Sequence, residues 1–385
     1  MTVAQGVTGA RLGTSVLGAR TTDVRAVNAS AVVRALLRRP RPRGELAETL
    51  QLNHGTITRI GQQLLELGLV AELHGVPRGR GRPAKWLRIE PRARLTYGVH
   101  IGTEIVGAGV VGLDGSVLWR VTQVHDGTVE HLRTIVRRQL TQARAWTADE
   151  VAPDAAVLGV GIATGRWLRD RADLAAAEFV PDEVTAGTVL PEPVQVLSTA
   201  RAHASAQLLF EEPVPDFLLL HVGNVCETAR VHDHVLLSGE DGRDGSVDQL
   251  GVRTAQGWRA VPEAISDVAV RRRARAIGKD APIDQLIAAA HGGDADVEAL
   301  LRQRAHDTGR VCQLLAELLG VGQVLVSGAP SAVPAHLACI EEGVAAMAAG
   351  EPCEVSLVGG LNERLIPAAA SPVIADFAAE PTIPV

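Results

Sequence analysis

The hydrophobic positions between residues 45 and 67 fall into two helical runs separated by a short break. Leu46, Ala47 and Leu50 make one apolar face, Gln51-Leu52-Asn53 interrupts it, and Ile57, Ile60, Leu64 and Leu67 resume at helical spacing. Asn53 suits the N-cap of the second helix, because its side-chain oxygen can accept from the first free backbone N–H groups. Just inside that cap, His54, Thr56, Thr58 and Arg59 face away from the apolar stripe, with Gly55 among them. Small and hydrogen-bonding residues at a helix tip suit base edges in a major groove. Gly68-Leu69-Val70 ends the helix, and Val70–Leu73 and Lys85–Ile89 read as the strands of a hairpin tipped by GVPRGRGRP. The pattern predicts a winged helix-turn-helix over residues 28–92, preceded by an arm, 1–27, without clear periodicity.

A helix–turn–helix period alone also fits part of a helical bundle. The wing favours DNA. Arg78, Arg80 and Arg82 alternate with glycine and precede a proline, so their side chains splay from an extended backbone. Such a strip cannot be core, and it suits phosphates or a narrow minor groove.

From residue 93 to 385 the pattern changes to alternating strands and helices. Leu95–Gly102, Ile105–Leu113 and Val117–Val124 are β-rich runs, the last two joined at Asp114-Gly115, a strong hairpin signal. An amphipathic helix over Val129–Ala145 and buried strands at Ala155–Ile162 and Val194–Leu197 follow, then a helix at Thr199–Leu209. Phe217–Val222 and Ala229–Leu236 start the theme again. Helices over 283–319 and strands at Gln323–Ser327 and Glu354–Val358 continue it, and a short helix near Pro372–Ala379, proline in its first turn, closes the chain. A duplicated α/β plan places a cleft between two lobes.

Charge sharpens the division. Residues 20–94 carry 15 Lys+Arg against 6 Asp+Glu, whereas the whole 385-residue chain has a formal net charge of −6. A basic head on an acidic body is the electrostatic footprint of a DNA-binding domain joined to something else. The 4 cysteines are scattered without a CxxC spacing, which argues against a disulfide scaffold and fits a reducing cytoplasm. No run of 18 apolar residues suggests a membrane span.

The order of these elements and several motifs resemble the ROK family (repressors, open reading frames and kinases), above all its transcriptional regulators. The likeness runs from about residue 28 to the end. The head matches over Glu45–Val70 and in the wing GRGRPAKWLRI. In the body, YGVHIGTEIVGAGVVGLDGSVL is similar to the family's first phosphate hairpin, and LGVGIATG to its glycine-rich strand end. VLSTARAHASA stands where the family has the Glu-Asn-Asp-Ala helix start, and VLVSGAP is similar to the turn on the adenosine side. The resemblance implies an α/β fold: a winged helix-turn-helix followed by two actin-like, ribonuclease-H-like lobes.

The departures matter as much. His100 occupies the position of the family's metal- and phosphate-holding Asp, and Gly102 is what remains of the following glycines. Thr199 occupies the position of the catalytic Asp, and Ser198 that of the Asn before it. A threonine hydroxyl cannot take a proton from a sugar hydroxyl as a carboxylate can, and phosphoryl transfer without both carboxylates loses positioning and charge neutralisation together. The family's structural zinc is held by a Gly-Glu-x-Gly-His motif and three cysteines. Here GSVDQL puts Ser246 and Gln249 in place of the Glu and His, and VRTAQGWRAVPEAIS contains no cysteine. His232 and His234 form an HxH pair that suits a solvated hairpin better than a metal.

The expected function is therefore a DNA-binding transcriptional regulator, a repressor as the resemblance implies, with no catalytic residues, cofactor or metal. Its partners are an operator in double-stranded DNA, a second copy or more of the chain as homodimer or tetramer, and an effector of sugar or sugar-phosphate chemistry. Asn53, His54, Thr56, Thr58, Arg59, Arg78, Arg80 and Arg82 are assigned to DNA. Ser198, Thr199, Arg201, His203 and Glu263 are assigned to the effector, Glu263 being the one sugar-facing carboxylate of the family at a matching position; Ser246, Asp248 and Gln249 add polar groups. Arg201 and His203 favour an acidic ligand. Two alternatives stay open: a sugar kinase with an accessory DNA-binding head, and a ligand-independent DNA-binding dimer with a vestigial cleft.

Overall fold

The computed structural model describes residues 21–74, 85–165, 168, 176–238, 245–359 and 363–381. The head begins with α1 (Thr21–Arg38), so the helix starts before residue 28 and takes in the end of the segment read as an arm. Its Val32, Val33, Leu36 and Leu37 recur at helical spacing and are buried. A two-residue strand β1 (Arg41–Pro42), α2 (Arg43–Thr49), α3 (His54–Glu66), β2 (Val70–His74) and β3 (Lys85–Ile89) complete a winged helix-turn-helix. The three strands lie in the order β1-β3-β2, all antiparallel. Gly68 (φ 66°) turns the chain out of α3 in the left-handed conformation that glycine adopts without a Cβ clash.

The first lobe holds β4 (Leu95–Ile101), β5 (Ile105–Gly112), β6 (Val117–Val124), α4 (Val129–Glu150), β7 (Val157–Thr164), α5 (Asp182–Thr185), β8 (Val194–Ser198) and α6 (Thr199–Phe210). Its sheet runs β6-β5-β4-β7-β8. The β4–β5–β6 meander is antiparallel, and β7 and β8 add in parallel. The second lobe repeats the plan with β9 (Phe217–Val222), β10 (Cys226–His232), β11 (Val235–Leu236), β12 (Gly245–Ser246), a β13–β14 ribbon (Gly251–Thr254, Gly257–Ala260), α7 (Val261–Ile265), α8 (Asp267–Ala276), α9 (Ile283–His291), α10 (Ala295–Leu319), β15 (Gln323–Gly328), α11 (Leu337–Ala345) and β16 (Glu354–Val358). Its sheet order is β11-β10-β9-β15-β16. The strands of both lobes fall within a few residues of those expected from the hydrophobic pattern, except β12 and the β13–β14 ribbon, which the pattern did not mark.

The chain ends in α12 (Leu365–Ala379), which returns to the first lobe. It starts seven residues ahead of Pro372, so that proline is interior and not in the first turn as the sequence suggested. Proline lacks an N–H and leaves the carbonyl four residues back unbonded. Here that carbonyl, Ala368 O, accepts from Ser371 Oγ at 2.8 Å instead. The helix is apolar nearly all round because it is covered nearly all round, by the sheet below, α6 beside it and the head above.

Three glycines let α12 lie directly on the sheet. A Cβ at Gly161 would stand 1.9 Å from the Ala369 carbonyl oxygen, one at Gly98 2.4 Å from that of Ile366, and one at Gly109 3.0 Å from the Ile366 side chain. At Gly98 and Gly161 backbone meets backbone, with no side-chain layer to yield. Gly161→Ala should therefore cost about 1–3 kcal/mol or more of stability, the range of core overpacking. Gly322→Ala, where no atom lies within 4 Å of an added Cβ, should leave the urea midpoint nearly unchanged; equal midpoints for the two variants would contradict this account.

Candidate nucleic-acid interface and inter-lobe cleft

Helix α3 presents one apolar and one polar face. Ile57, Ile60 and Leu64 are buried, while His54, Thr58, Arg59, Gln62 and Glu66 are exposed together on the opposite side. Asn53 caps the helix as its sequence implies, Oδ1 accepting from the Thr56 N–H at 2.8 Å. Gly55 sits beside that cap, and Thr56 is half-buried. The wing residues Arg78, Arg80 and Arg82 lie outside the described residues.

Much of the head's positive charge faces the body. Arg34 donates to Ala375 O (3.3 Å) and Ser30 to Ala378 O (2.7 Å), both in the last turn of α12, and Arg38 donates to Leu208 O (3.3 Å) near the end of α6. Arg39 and Arg41 pair with Glu45 and reach Glu212 of the body at 3.4 and 3.5 Å. Arg43 and Lys85 share Glu72, each at 2.7 Å. Arg94 lies over the Phe377 ring. The excess of arginine over acid counted along the head thus overstates the charge available to DNA. Leu208 O is among the last carbonyls of its helix, which have no intrahelical donor, and both arginines sit near helix C-termini where they oppose the helix dipoles.

Between the lobes lies a cavity of about 590 Å³. Its walls include His100 at the end of β4, Thr199 at the start of α6, His221 on β9, Asn224, and Asp267 and Arg271 on α8. His221 Nδ1 meets Ser327 Oγ at 3.1 Å, and its ring stacks on His203 with centroids 5.4 Å apart. Burial holds all three imidazoles below their ordinary range, His100 to about 4 and His203 to about 3. The neighbouring His100 and Arg364 charges push His203 further down. These rings are neutral near pH 7. Asp267 is buried against Arg304 at 2.8 Å, and desolvation raises its carboxyl nonetheless.

The residues assigned to an effector are not brought together. Thr199 lines the cavity, and His203 lies behind it through the stack on His221. Ser198 is fully buried as the N-cap of α6, accepting from the Arg201 N–H, and so is spent on the helix. Arg201 reaches Ser238 at the surface instead of the cavity. Glu263 is exposed on α7, where its backbone carbonyl accepts from Arg273; it is not among the cavity residues. The assignment of Arg201 and Glu263 to this cleft is therefore corrected, Arg201 because its guanidinium turns to Ser238 and Glu263 because α7 turns its polar side outward. Ser246, Asp248 and Gln249 are exposed as well. His221, Asn224, Asp267 and Arg271 were missed. A histidine closing the apolar run FLLLH was the available signal for the first.

His232 ends β10 and pairs with Asp216, while Asp233 and His234 take φ of 49° and 60° in the following turn, so the HxH pair does not share a strand face. Among the described residues no three of His, Cys, Asp and Glu converge as a metal set, and no helix is long and apolar enough to cross a membrane.

Two outcomes are expected here. Asn53→Ala should cost about 1 kcal/mol through the lost cap, read from the urea midpoint. Histidines whose folded pKa lies below the unfolded value stabilise fully above about pH 6.5, and that stability is lost as pH falls toward the folded pKa. His203→Asn should accordingly lose less stability than the wild type between about pH 7 and about pH 4.5; parallel slopes would show that His203 is not held neutral by the fold.

No protein-family model and no curated protein matches this chain. Solved structures do. A ROK family transcriptional regulator, a homologue of the E. coli MLC protein, superimposes with a TM-score of 0.64 at 18% identity, covering 93% of this chain and 97% of its own. A ROK family glucokinase from Streptomyces griseus, solved with glucose and AMPPNP, gives 0.57 at 20%, covering 72% and 98%. A ROK family protein from Streptococcus pneumoniae, solved with sucrose, gives 0.55 at 12%, covering 73% and 98%. The chain is thus built on the fold that ROK regulators and ROK sugar kinases share.

Proposed function

We propose that this protein is a DNA-binding transcriptional regulator, with α3 in the major groove and the two-lobed body serving dimerisation and ligand sensing. The observation that carries this reading is the head: a capped, amphipathic α3 whose outward face carries His54, Thr58, Arg59 and Gln62. The kinase structures align over about the length of the body, whereas the regulator aligns over nearly the whole chain. The size of the head matches the difference.

The cleft supports the same choice over a sugar kinase. A kinase needs carboxylates to hold its metal and to accept the sugar proton. His100 and Thr199 occupy the ends of β4 and β8–α6 where the resemblance expects them, and His100 is a neutral imidazole. Asp267, the carboxylate buried in the cavity, is committed to Arg304. The polar, uncharged wall of His100, Thr199, His221 and Asn224 suits a hydroxyl-bearing effector of sugar type, which donates to and accepts from such groups without a charge to neutralise. A single head offers too small an interface for selective binding, so a symmetric dimer on an inverted repeat follows.

Selection of bound duplexes from a random pool tests this. Wild type should enrich an inverted repeat, and Arg59→Ala should weaken it by about 1–3 kcal/mol with relaxed choice at one base pair per half-site. No enrichment, or ATP-dependent phosphorylation of glucose by the purified protein, would overturn the proposal.

A further inference from the structure

Helices α6 and α12 both begin at the cleft and end beneath the head. Thr199, the first residue of α6, and Leu365 and Ile366, the first two of α12, line the cavity. At their far ends Arg38 holds the Leu208 carbonyl, and Arg34 and Ser30 hold those of Ala375 and Ala378. Midway the two helices touch through small residues, Ala368 and Ala369 of α12 against Ala202 and Ala206 of α6, with Ser371 Oγ 3.3 Å from the Ala202 carbonyl oxygen. Each helix is a rod, with about 1.5 Å of rise per residue and every interior carbonyl bonded.

Across the mouth of the cleft, the β4–β5 turn reaches the second lobe. Glu104 pairs with Arg271 of α8 at 2.5 Å, and Asn224 Nδ2 donates to Thr103 Oγ1 at 2.6 Å. The turn itself is braced by His125. Its Nδ1 accepts from the Gly127 N–H, so Nε2 carries the proton and donates to Gly102 O at 2.9 Å. These are side-chain contacts between lobes at the rim of the cavity, and they engage the strand end that carries His100.

We propose that the turn 102–104 is a clasp, and that its engagement with the second lobe is read at the head through α6 and α12, with Arg34 and Arg38 as the positioning residues. The inference rests on the DNA-binding reading for its biological use, but the mechanical coupling is a property of the body and head alone. Its basis is the absence of padding. The clasp continues directly into β4 and β5, and Gly98 of β4 and Gly109 of β5 touch α12 at Ile366, backbone against backbone at Gly98. A shift of that hairpin cannot be absorbed by side-chain rearrangement and must move α12. At the other end the helix is buried against the head through Ile374, Phe377 and Ala378, which share one core with Val32, Val33 and Leu36. Any ligand that binds the open and closed clefts unequally would then bias the head by that difference in affinity.

Hydrogen-exchange mass spectrometry on the full chain tests the relay without a ligand or operator. Glu104→Arg should raise exchange by about 3-fold or more both around the cleft, at 102–107 and 222–226, and at the head contact, 29–38 and 371–379. The double variant Glu104→Arg/Arg271→Glu, which restores the pair with reversed charges, should return both to wild-type values. In an Arg34→Gln/Arg38→Gln background, Glu104→Arg should still loosen the cleft while leaving 29–38 unresponsive. A Glu104→Arg variant with unchanged exchange everywhere overturns the clasp. Loosening confined to the cleft overturns the relay, and a head that still responds without Arg34 and Arg38 overturns their role. A wild-type protein that retards no duplex DNA in a mobility assay would instead overturn the DNA reading and leave the exchange results standing.

Discussion

The structure depends on one direct contact, the seating of α12 on the sheet of the first lobe. At Gly98 and Gly161 the strand backbone meets carbonyls of the helix, closer than any side chain would permit, and at Gly109 it meets the Ile366 side chain. This single helix then serves three neighbours. Its first residues floor the cleft, its flank packs small residues, Ala368 and Ala369, against Ala202 and Ala206 of α6, and its last turns enter the core of the head. Remove it, and the head loses its platform and the cleft its floor. Close packing of this kind has no slack, which is why a proline inside the helix is tolerated only with Ser371 supplying the missing donor.

Electrostatics follows the same geometry. Arginines that sequence counting assigns to a nucleic-acid face are in part the fastening of head to body. Arg34 and Arg38 are drawn down from their ordinary range by burial and yet remain charged, as a guanidinium does. They meet helix C-termini, where partial negative charge collects. What remains outward on α3 is a small set, Arg59 with His54, Thr58 and Gln62. In the cleft the opposite holds: imidazoles stand where charge was expected, and desolvation, with their closeness to one another, keeps them neutral.

The secondary structure was legible because it is periodic. The winged head, the β4–β5–β6 meander turning at Gly115, and both central parallel strands follow from the spacing of apolar residues and from glycine at positive φ. The start of α1 was not legible, since Val24–Val27 is exposed and shows no apolar stripe, and the segment becomes a helix by continuing a buried one. The cleft was legible in part. Thr199 and His100 could be placed by motif, because each ends or begins an element. Glu263 could not, because whether a short helix turns its first-turn carboxylate inward is decided by the packing of Val261, Ala264 and Ile265 against the second-lobe core. Arg271 and Asn224 were invisible for a different reason: their partners, Glu104 and Thr103, lie far away along the chain.

The common core of head and body also sets where the chain can be cut. A boundary drawn at residue 92 separates Val32, Val33 and Leu36 from Ile374 and Phe377, which complete one hydrophobic cluster from opposite ends of the sequence. A head excised at that boundary would carry an uncovered apolar stripe into water, and a body deprived of it would expose the matching face of its last helix. The winged head is therefore not an interchangeable module. Grafting it onto another scaffold requires the last helix to travel with it.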